Sequence, residues 1–286
     1  IGYLWVNHKI GNLEDRIDKH VTGLPDPYGS VSLLNVLRMR SAIEFEEPGA
    51  DADRLYESTI QKRTMSFLEY AGEAKRKQGA TPGMVFNYSD LDASVLGLVV
   101  DELTQHDVRE FYQRVLWQAL GMEARARLKI DKVNVPAPFC CQKMQAYDLA
   151  RFAKFILAEL RKPDGDSNTR SISTWLKRGT VWDGNVESCY FAGTTLELGY
   201  GYQWWTFKGK KMEEQKGEKE EREFTAMGVR GQFIHVFPEA DLAVIQLSDW
   251  PDSIALNKKK NGEAICEALQ VHRKINEALK EKKKNE

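Results

Sequence analysis

Two short stretches of this 286-residue chain carry residue types that move protons or hold a developing negative charge. The first is Pro82-Gly83-Met84-Val85-Phe86-Asn87-Tyr88-Ser89-Asp90. A Pro-Gly turn and an extended run deliver a tyrosine and small polar residues to the start of an apolar helix. Free tyrosine titrates near pH ~10, so it becomes a base only where nearby cations lower that value. Beside a lysine, a tyrosinate can take a serine proton and return it to a leaving group. Taken alone, Tyr88 also fits an aromatic that packs in a core or interface. The second stretch is Ala226-Met227-Gly228-Val229-Arg230-Gly231-Gln232-Phe233. Gly228 and Gly231, three apart within a strand pair, would leave backbone N–H groups open to a bound carbonyl, where they stabilise an oxyanion. The same spacing fits a β-bulge or tight turn with no chemistry. Trp204, Trp205 and Tyr202 could line an apolar acyl pocket or belong to the core.

Other chemistries have little support. The histidines (His8, His20, His106, His235 and His272) are scattered with no close ligand pair, so no metal site is expected. Cys140, Cys141, Cys189 and Cys266 lack CxxC spacing and read as buried or indifferent thiols, not as a disulfide framework. With 41 basic and 42 acidic residues, the chain lacks the basic excess that phosphate neutralisation requires, so no nucleic-acid partner is expected. No apolar run reaches the roughly 18 residues of a membrane span. No leader is visible, but Ile1 is not a start methionine, so cytoplasmic and periplasmic locations both stay open.

These residues need elements to position them. Ile1 to Val6 reads as the end of a buried helix. Val31 to Met39 has helical apolar spacing after a Ser30 cap. Arg54 to Ala80 is mixed and charged, with a surface helix over Thr64 to Ala71. Leu91 to Glu102, Asp107 to Leu120 and Ala146 to Leu160 read as helices, the first apolar on one face, the last with Tyr147 among its apolar positions. Ser171 to Lys177 reads as a short helix. Beyond residue 198 the period changes. Gly199 to Phe207 has strand-like alternation, and Lys208 to Glu223 reads as a solvated hairpin loop. Phe224 to Gly228 and Gln232 to Phe237 are strands, and Leu242 to Leu247 a buried one. Asn261 to Leu279 is helix, with Ala264, Ile265, Ala268, Leu269, Val271, Ile275 and Leu279 on its apolar side, and the charged tail from Lys280 frays. Helices, then antiparallel strands, then a helix make an α+β pattern without an obvious domain boundary.

Several of these segments together resemble the β-lactamase and penicillin-binding-protein superfamily, in the branch that contains 6-aminohexanoate-dimer hydrolase and related esterases. Leu37-Arg38-Met39-Arg40-Ser41-Ala42 resembles its Leu-x-Met-x-Ser-Gly run, with Ala42 in place of glycine. Phe86-Asn87-Tyr88-Ser89-Asp90, Leu120-Gly121-Met122, Tyr147-Asp148-Leu149-Ala150-Arg151-Phe152, Tyr200-Gly201-Tyr202-Gln203-Trp204-Trp205 and Gly228-Val229-Arg230-Gly231-Gln232 match further landmarks in family order. The resemblance implies a β-lactamase-like antiparallel sheet flanked by helices in a single domain, mainly helical over about 20–195. Sheet strands and a C-terminal helix would fill about 196–286. It implies Tyr88 as the catalytic tyrosine and the backbone N–H of Val229 as an oxyanion donor. Asp90 would stand where the family usually has asparagine, and Gly228, Gly231, Gln232 and Trp204 would flank the substrate. Ala226 stands where the superfamily carries a cation, which makes β-lactam recognition doubtful. No cofactor is implied; the partner is a small ester or amide, and a homodimer is admitted.

The nucleophile motif Ser-x-x-Lys is absent: no serine has lysine three positions on. Thr59 with Lys62 and Thr174 with Lys177 lie out of place, and Ser41 is followed by Glu44. Ile1-Gly2 resembles the pair that follows the motif, so the motif is expected just before residue 1, with the N-terminal strands and the start of the central helix. Three readings stand: a serine hydrolase whose nucleophile lies upstream, a non-catalytic member of the fold serving as a binding module, or an unrelated α+β binding domain.

Overall fold

The computed structural model describes residues 1–163, 169–184, 186–187, 191, 196–209, 211–212 and 219–285. The chain packs as two compact units, residues 1–145 and 146–286. The division falls earlier than the change from helix to sheet near residue 196.

The first unit is built around one helix. In chain order its helices are α1 (Gly2–Val6), α2 (Leu33–Leu37), α3 (Ala50–Leu55), α4 (Phe67–Gly72), α5 (Asp90–Leu103) and α6 (Val108–Tyr112). α5 buries ten of its fourteen residues, so it is a central helix and not the one-sided amphipath its pattern suggests. α2, α3 and α4 pack around it. Burying Leu91, Val95 and Val99 contributes roughly 1.5–3 kcal/mol per side chain. α2 is capped by Ser32, whose Oγ accepts from Asn35 N at 3.3 Å, rather than by Ser30. α4 opens with a Ser66–Glu69 capping box. It is not a surface helix, because Phe67 and Tyr70 are buried. α3 and α6 each run on into a π-helical segment, Tyr56–Gln61 and Gln113–Gln118.

The second unit is a five-stranded antiparallel sheet between helices. It comprises α7 (Ala146–Arg161), α8 (Ile172–Gly179), β1 (Leu198–Tyr200), β2 (Trp205–Phe207), β3 (Lys211–Met212), β4 (Lys219–Glu220), β5 (Glu223–Gly228), β6 (Gln232–Phe237), β7 (Leu242–Gln246), α9 (Asp252–Ala255) and α10 (Lys258–Asn285). The sheet order is β1-β2-β5-β6-β7, and β3 pairs with β4 alone. The aromatic run from Gly199 to Phe207 is therefore two strands, Tyr200 opposite Trp205, joined through Gln203 at φ 64°. Strand alternation sends Phe224 and Val236 to the face covered by α7 and α8, where they meet Ile156, Leu157, Leu160 and Leu176. His235 and Phe233 point to the other face, where both meet His272 of α10.

Several sequence expectations are corrected here. β7 is a partly exposed edge strand, not a buried one. Tyr147, expected on the apolar side of α7, is 80% exposed. α10 runs helical through the charged tail, tied down by Lys280 to Glu221 at 2.6 Å. Its buried face is Ile265, Ala268, Leu269, His272 and Asn276, while Val271, Ile275 and Leu279 are exposed. Cys140 and Cys141 are not thiols but form a disulfide between neighbours, and Cys266 is the free thiol among the described residues. Adjacency lets the two sulfurs meet without the CxxC spacing sought. Cys189 and part of the Lys208–Glu223 insert (residues 210 and 213–218) lie outside the described residues.

Candidate active site

In the first unit the Tyr88 segment is held from both ends. Gly83 N donates to Arg40 O at 2.8 Å and Asn87 N to Met39 O at 2.8 Å, while Asn87 Nδ2 donates to Phe45 O at 3.0 Å. The segment thus leans on residues 39–45, the stretch with the Met-x-Ser landmark. Ser89 then caps α5, its Oγ accepting from Asp92 N at 3.2 Å. Ala42 sits at φ 58°, a left-handed conformation that costs a residue with a Cβ roughly 1–2 kcal/mol. That is the physical reason for glycine in the matching position of the family's run.

The electrostatics around Tyr88 are set by acids. Burial raises its phenol pKa, and the carboxylates of Glu47 and Asp90 raise it further, so the side chain as placed is a neutral hydrogen-bond donor through neutral pH. Asp90 N donates to Glu47 Oε2 at 2.5 Å. The Asp90 carboxyl is itself held well above the ordinary carboxylate range by burial, then by the charge of Glu47 and a hydrogen bond to it. Such a pair holds one proton between two groups. A protonated Asp90 donates a hydrogen bond, which an ionised aspartate cannot do. Glu47 is a site residue that sequence reasoning missed. It lies 43 positions from Asp90 with no spacing rule linking them.

Two residues further along α5, Asp92 is completely buried. Tyr28 Oη donates to its Oδ1 at 2.7 Å, and no hydrogen bond reaches Oδ2 among the described residues. Burial lifts its pKa to about 7, opposed by hydrogen bonding from Tyr28 and by the nearby Ser41, which approaches without a bond of full geometry.

In the second unit the β5–β6 hairpin pairs Gly228 with Gln232 and turns through Val229, Arg230 and Gly231. Arg230 and Gly231 have φ of 65° and 84°. The turn is braced on residues 248–252. Arg230 Nη1 donates to Trp250 O at 2.9 Å, its Nη2 pairs with Asp252, and Trp250 N donates back to Arg230 O at 3.2 Å. A Cβ on Gly231 would clash with the Trp250 ring. A Cβ on Gly228 would meet Gln232 Cβ at 3.0 Å. The Gln232 amide is engaged inside the turn, donating to Ser248 O at 2.5 Å and to Val229 O and Arg230 O at 3.3 Å. Val229 is 74% exposed, and its N–H meets no acceptor among the described residues. Trp204 packs edge-on against Phe224 at 5.1 Å on the face with α7 and α8, and Tyr202 lies against Trp175 at 4.8 Å. The Arg230–Asp252 pair and Trp250 were not legible beforehand, because nothing in a sequence marks which later loop a hairpin will lean on.

No group of three or more acidic, histidine or cysteine residues is placed to hold a metal among the described residues. None of the helices, searched over those residues, is long and apolar enough to cross a membrane.

A proton-bearing tyrosine at a loop–helix junction and an open backbone donor on a glycine-braced strand turn are arrangements met in acyl-transfer enzymes. Known proteins match over most of the chain. A 6-aminohexanoate-dimer hydrolase from Paenarthrobacter ureafaciens is 24% identical over 250 residues, 80% of this chain and 58% of that protein. The chain thus spans little more than half of that relative. The fold matches a Bacillus anthracis protein whose assignment as a 6-aminohexanoate-dimer hydrolase is itself provisional (TM-score 0.66, 21% identity, 95% of this chain and 69% of that one). It also matches a penicillin-binding protein from Bacillus halodurans (TM-score 0.63, 14% identity, 94% and 80%) and an octameric penicillin-binding-protein homologue from Pyrococcus abyssi (TM-score 0.58, 17% identity, 93% and 62%). The family model described as Beta-lactamase matches residues 4–266, and the chain belongs to that family.

Proposed function

We propose that this chain carries the tyrosine and the oxyanion donor of a serine hydrolase that cleaves a small ester or linear amide through an acyl-enzyme. The observation that carries this reading is the open Val229 N–H, held on a turn that Gly231 lets lie against Trp250 and that Arg230 ties to the Trp250 carbonyl. In this mechanism a serine attacks the carbonyl and Tyr88 relays its proton to the leaving group. Val229 N–H holds the oxyanion, and water then cleaves the acyl-enzyme. Gly228 and Gly231 shape the turn, Gln232 fixes it, Asp90 approaches the substrate, and Trp204 supports the apolar wall. The attacking serine and its lysine are not among residues 1–286 as a Ser-x-x-Lys motif. A lysine ammonium beside Glu47, Asp90 and Tyr88 would offset the carboxylates that now raise the tyrosine pKa. One domain over residues 1–286 and self-association, a homodimer being the simplest form, complete the proposal; the octameric relative supports the latter.

The second reading is a non-catalytic member serving as a binding module. It is favoured by the acidic surroundings of Tyr88, which oppose tyrosinate formation. Assay of p-nitrophenyl ester hydrolysis by the product of the complete reading frame separates the two. The hydrolase reading expects turnover that falls at least ~10-fold with Tyr88→Phe, within the range for a lost proton-transfer group. The binding reading expects none from the complete product. For the chain as it stands, no hydrolysis above background is expected.

A further inference from the structure

A buried chain of hydrogen bonds crosses the sheet of the second unit and ends on the turn that holds Val229. Glu223 Oε1 faces His235 Nε2 at 3.0 Å, His235 Nδ1 faces His272 Nδ1 at 3.2 Å, and His272 Nε2 faces Gln246 Oε1 at 2.9 Å. Gln246 Nε2 in turn donates to Gly231 O at 3.3 Å and to Ser248 Oγ at 3.0 Å. His235 is fully buried and His272 nearly so, so water does not complete this set from outside.

Counting protons along the chain leaves a conflict. Arg273 Nε donates to the same Glu223 Oε1 at 2.7 Å. Burial pushes the Glu223 pKa up, but His235 and Arg273 outweigh it, and the net shift is down. The carboxylate is therefore ionised and His235 must donate from Nε2. Its Nδ1 is then a lone pair, and His272 must donate to it from Nδ1. A neutral His272 is left with a lone pair on Nε2, facing the carbonyl oxygen of Gln246: two acceptors in contact. Two arrangements resolve this. The pair can take one further proton, on either ring with a single hydrogen between the two Nδ1 atoms, so that His272 donates from Nε2 and Gln246 stays as drawn with its N–H on Gly231. Alternatively the Gln246 amide turns over, donating to His272 and withdrawing its N–H from Gly231, while its oxygen accepts from the Ser248 hydroxyl.

We propose that His272 and Gln246 are positioning residues for the Val229–Gly231 turn, and that one proton gained or lost by the histidine pair decides whether Gln246 donates to Gly231 or to His272. The titratable and charged groups facing the pair are Glu223 from β5 and Arg273 from α10; β7 contributes the uncharged Gln246. Burial and then His235 hold the His272 pKa down to about 4, so the neutral arrangement prevails at pH 7 and the donated bond to Gly231 forms on acidification. The link to oxyanion binding rests on the proposed hydrolase reading; the coupling itself does not.

The test is nuclear magnetic resonance of the full ¹⁵N-labelled chain, which needs no activity. At pH 7, His235 is expected as the Nε2–H tautomer and His272 as the Nδ1–H tautomer. Between pH 6 and 3.5, the Val229, Gly231 and Gln232 amides should shift with the same midpoint as the first protonation of the His235–His272 pair. In Gln246→Leu that co-titration should be lost at the turn while the ring of His272 still titrates. His272 found as the Nε2–H tautomer at pH 7, or turn amides that titrate unchanged in Gln246→Leu, would overturn the proposal. If Gln246→Leu does not fold, the tautomer assignment on the unaltered chain decides alone. Coupling without hydrolysis by the complete product would sink the hydrolase reading and leave this one standing.

Discussion

Replacing Asp92 by asparagine should remove a large, specific part of the pH dependence of stability. Asp92 is fully buried at the start of α5, with its Oδ2 unpartnered among the described residues. Its folded pKa is raised from 3.8 to about 7, mainly by burial. A group whose folded pKa is raised contributes stability that is complete below the unfolded pKa. That stability is lost as pH rises through the folded pKa. At ~1.36 kcal/mol per pH unit, that rise corresponds to about 4 kcal/mol, of which about 3 kcal/mol falls between pH 5 and 8. His235 and His272 act in the opposite sense: their pKa values are lowered, so their contribution is lost as pH falls below ~6.5. Those histidines titrate alike in the parent and in Asp92→Asn, so the difference between the two proteins isolates Asp92. The assay is hydrogen exchange of the Val95–Val99 amides in α5, which reports opening of the unit that holds Asp92 and cancels intrinsic exchange between the two proteins. From pH 5 to 8, protection in the parent should fall relative to Asp92→Asn by about 100-fold, the equivalent of ~3 kcal/mol. Curves that stay parallel would show that Asp92 is ionised and solvated in the folded protein, and the buried-acid description of this site would be wrong.

Other perturbations follow from local geometry. Ala42→Gly should stabilise the first unit by about 0.5–1 kcal/mol in urea unfolding, because position 42 sits at φ 58°; a loss of stability would refute this. Gly231→Ala brings a Cβ into a clash with the Trp250 ring at φ 84° and should cost roughly 2–4 kcal/mol, read as a lowered midpoint for the unit that contains the sheet. Tyr28→Phe leaves Asp92 Oδ1 without its donor and should cost about 1–3 kcal/mol, an effect that shrinks in the Asp92→Asn background if the two side chains act as a pair.

How much of this was legible beforehand depended on the range of the interactions. The β5 and β6 strands, the Gly228-to-Gly231 turn and the helix after Ser89 follow local rules: alternation, glycine at positive φ and a side-chain cap. Each was visible in the residues. The antiparallel α+β pattern followed from element order. What escaped depends on contacts between distant segments. Glu47 reaches Asp90, Arg230 reaches Asp252, and His235 reaches His272 across 37 positions, with no spacing signal. α10 shows the same limit in a helix. Its apolar pattern selected Ile265, Ala268 and Leu269, which are buried, together with Val271, Ile275 and Leu279, which are exposed, and it passed over His272 and Asn276 on the buried side. The Tyr88 segment was found from its own residues, but the acids that set its protonation come in part from residue 47.

The most direct measurement is p-nitrophenyl ester hydrolysis by the complete reading-frame product, compared with its Tyr88→Phe and Val229→Pro variants, the latter lacking the backbone N–H. Loss of a proton-transfer group and of an oxyanion donor predicts falls of at least ~10-fold and about 10²–10³-fold in kcat/KM, with folding retained by circular dichroism. Hydrolysis that persists unchanged in both folded variants would contradict the assignment of Tyr88 and Val229.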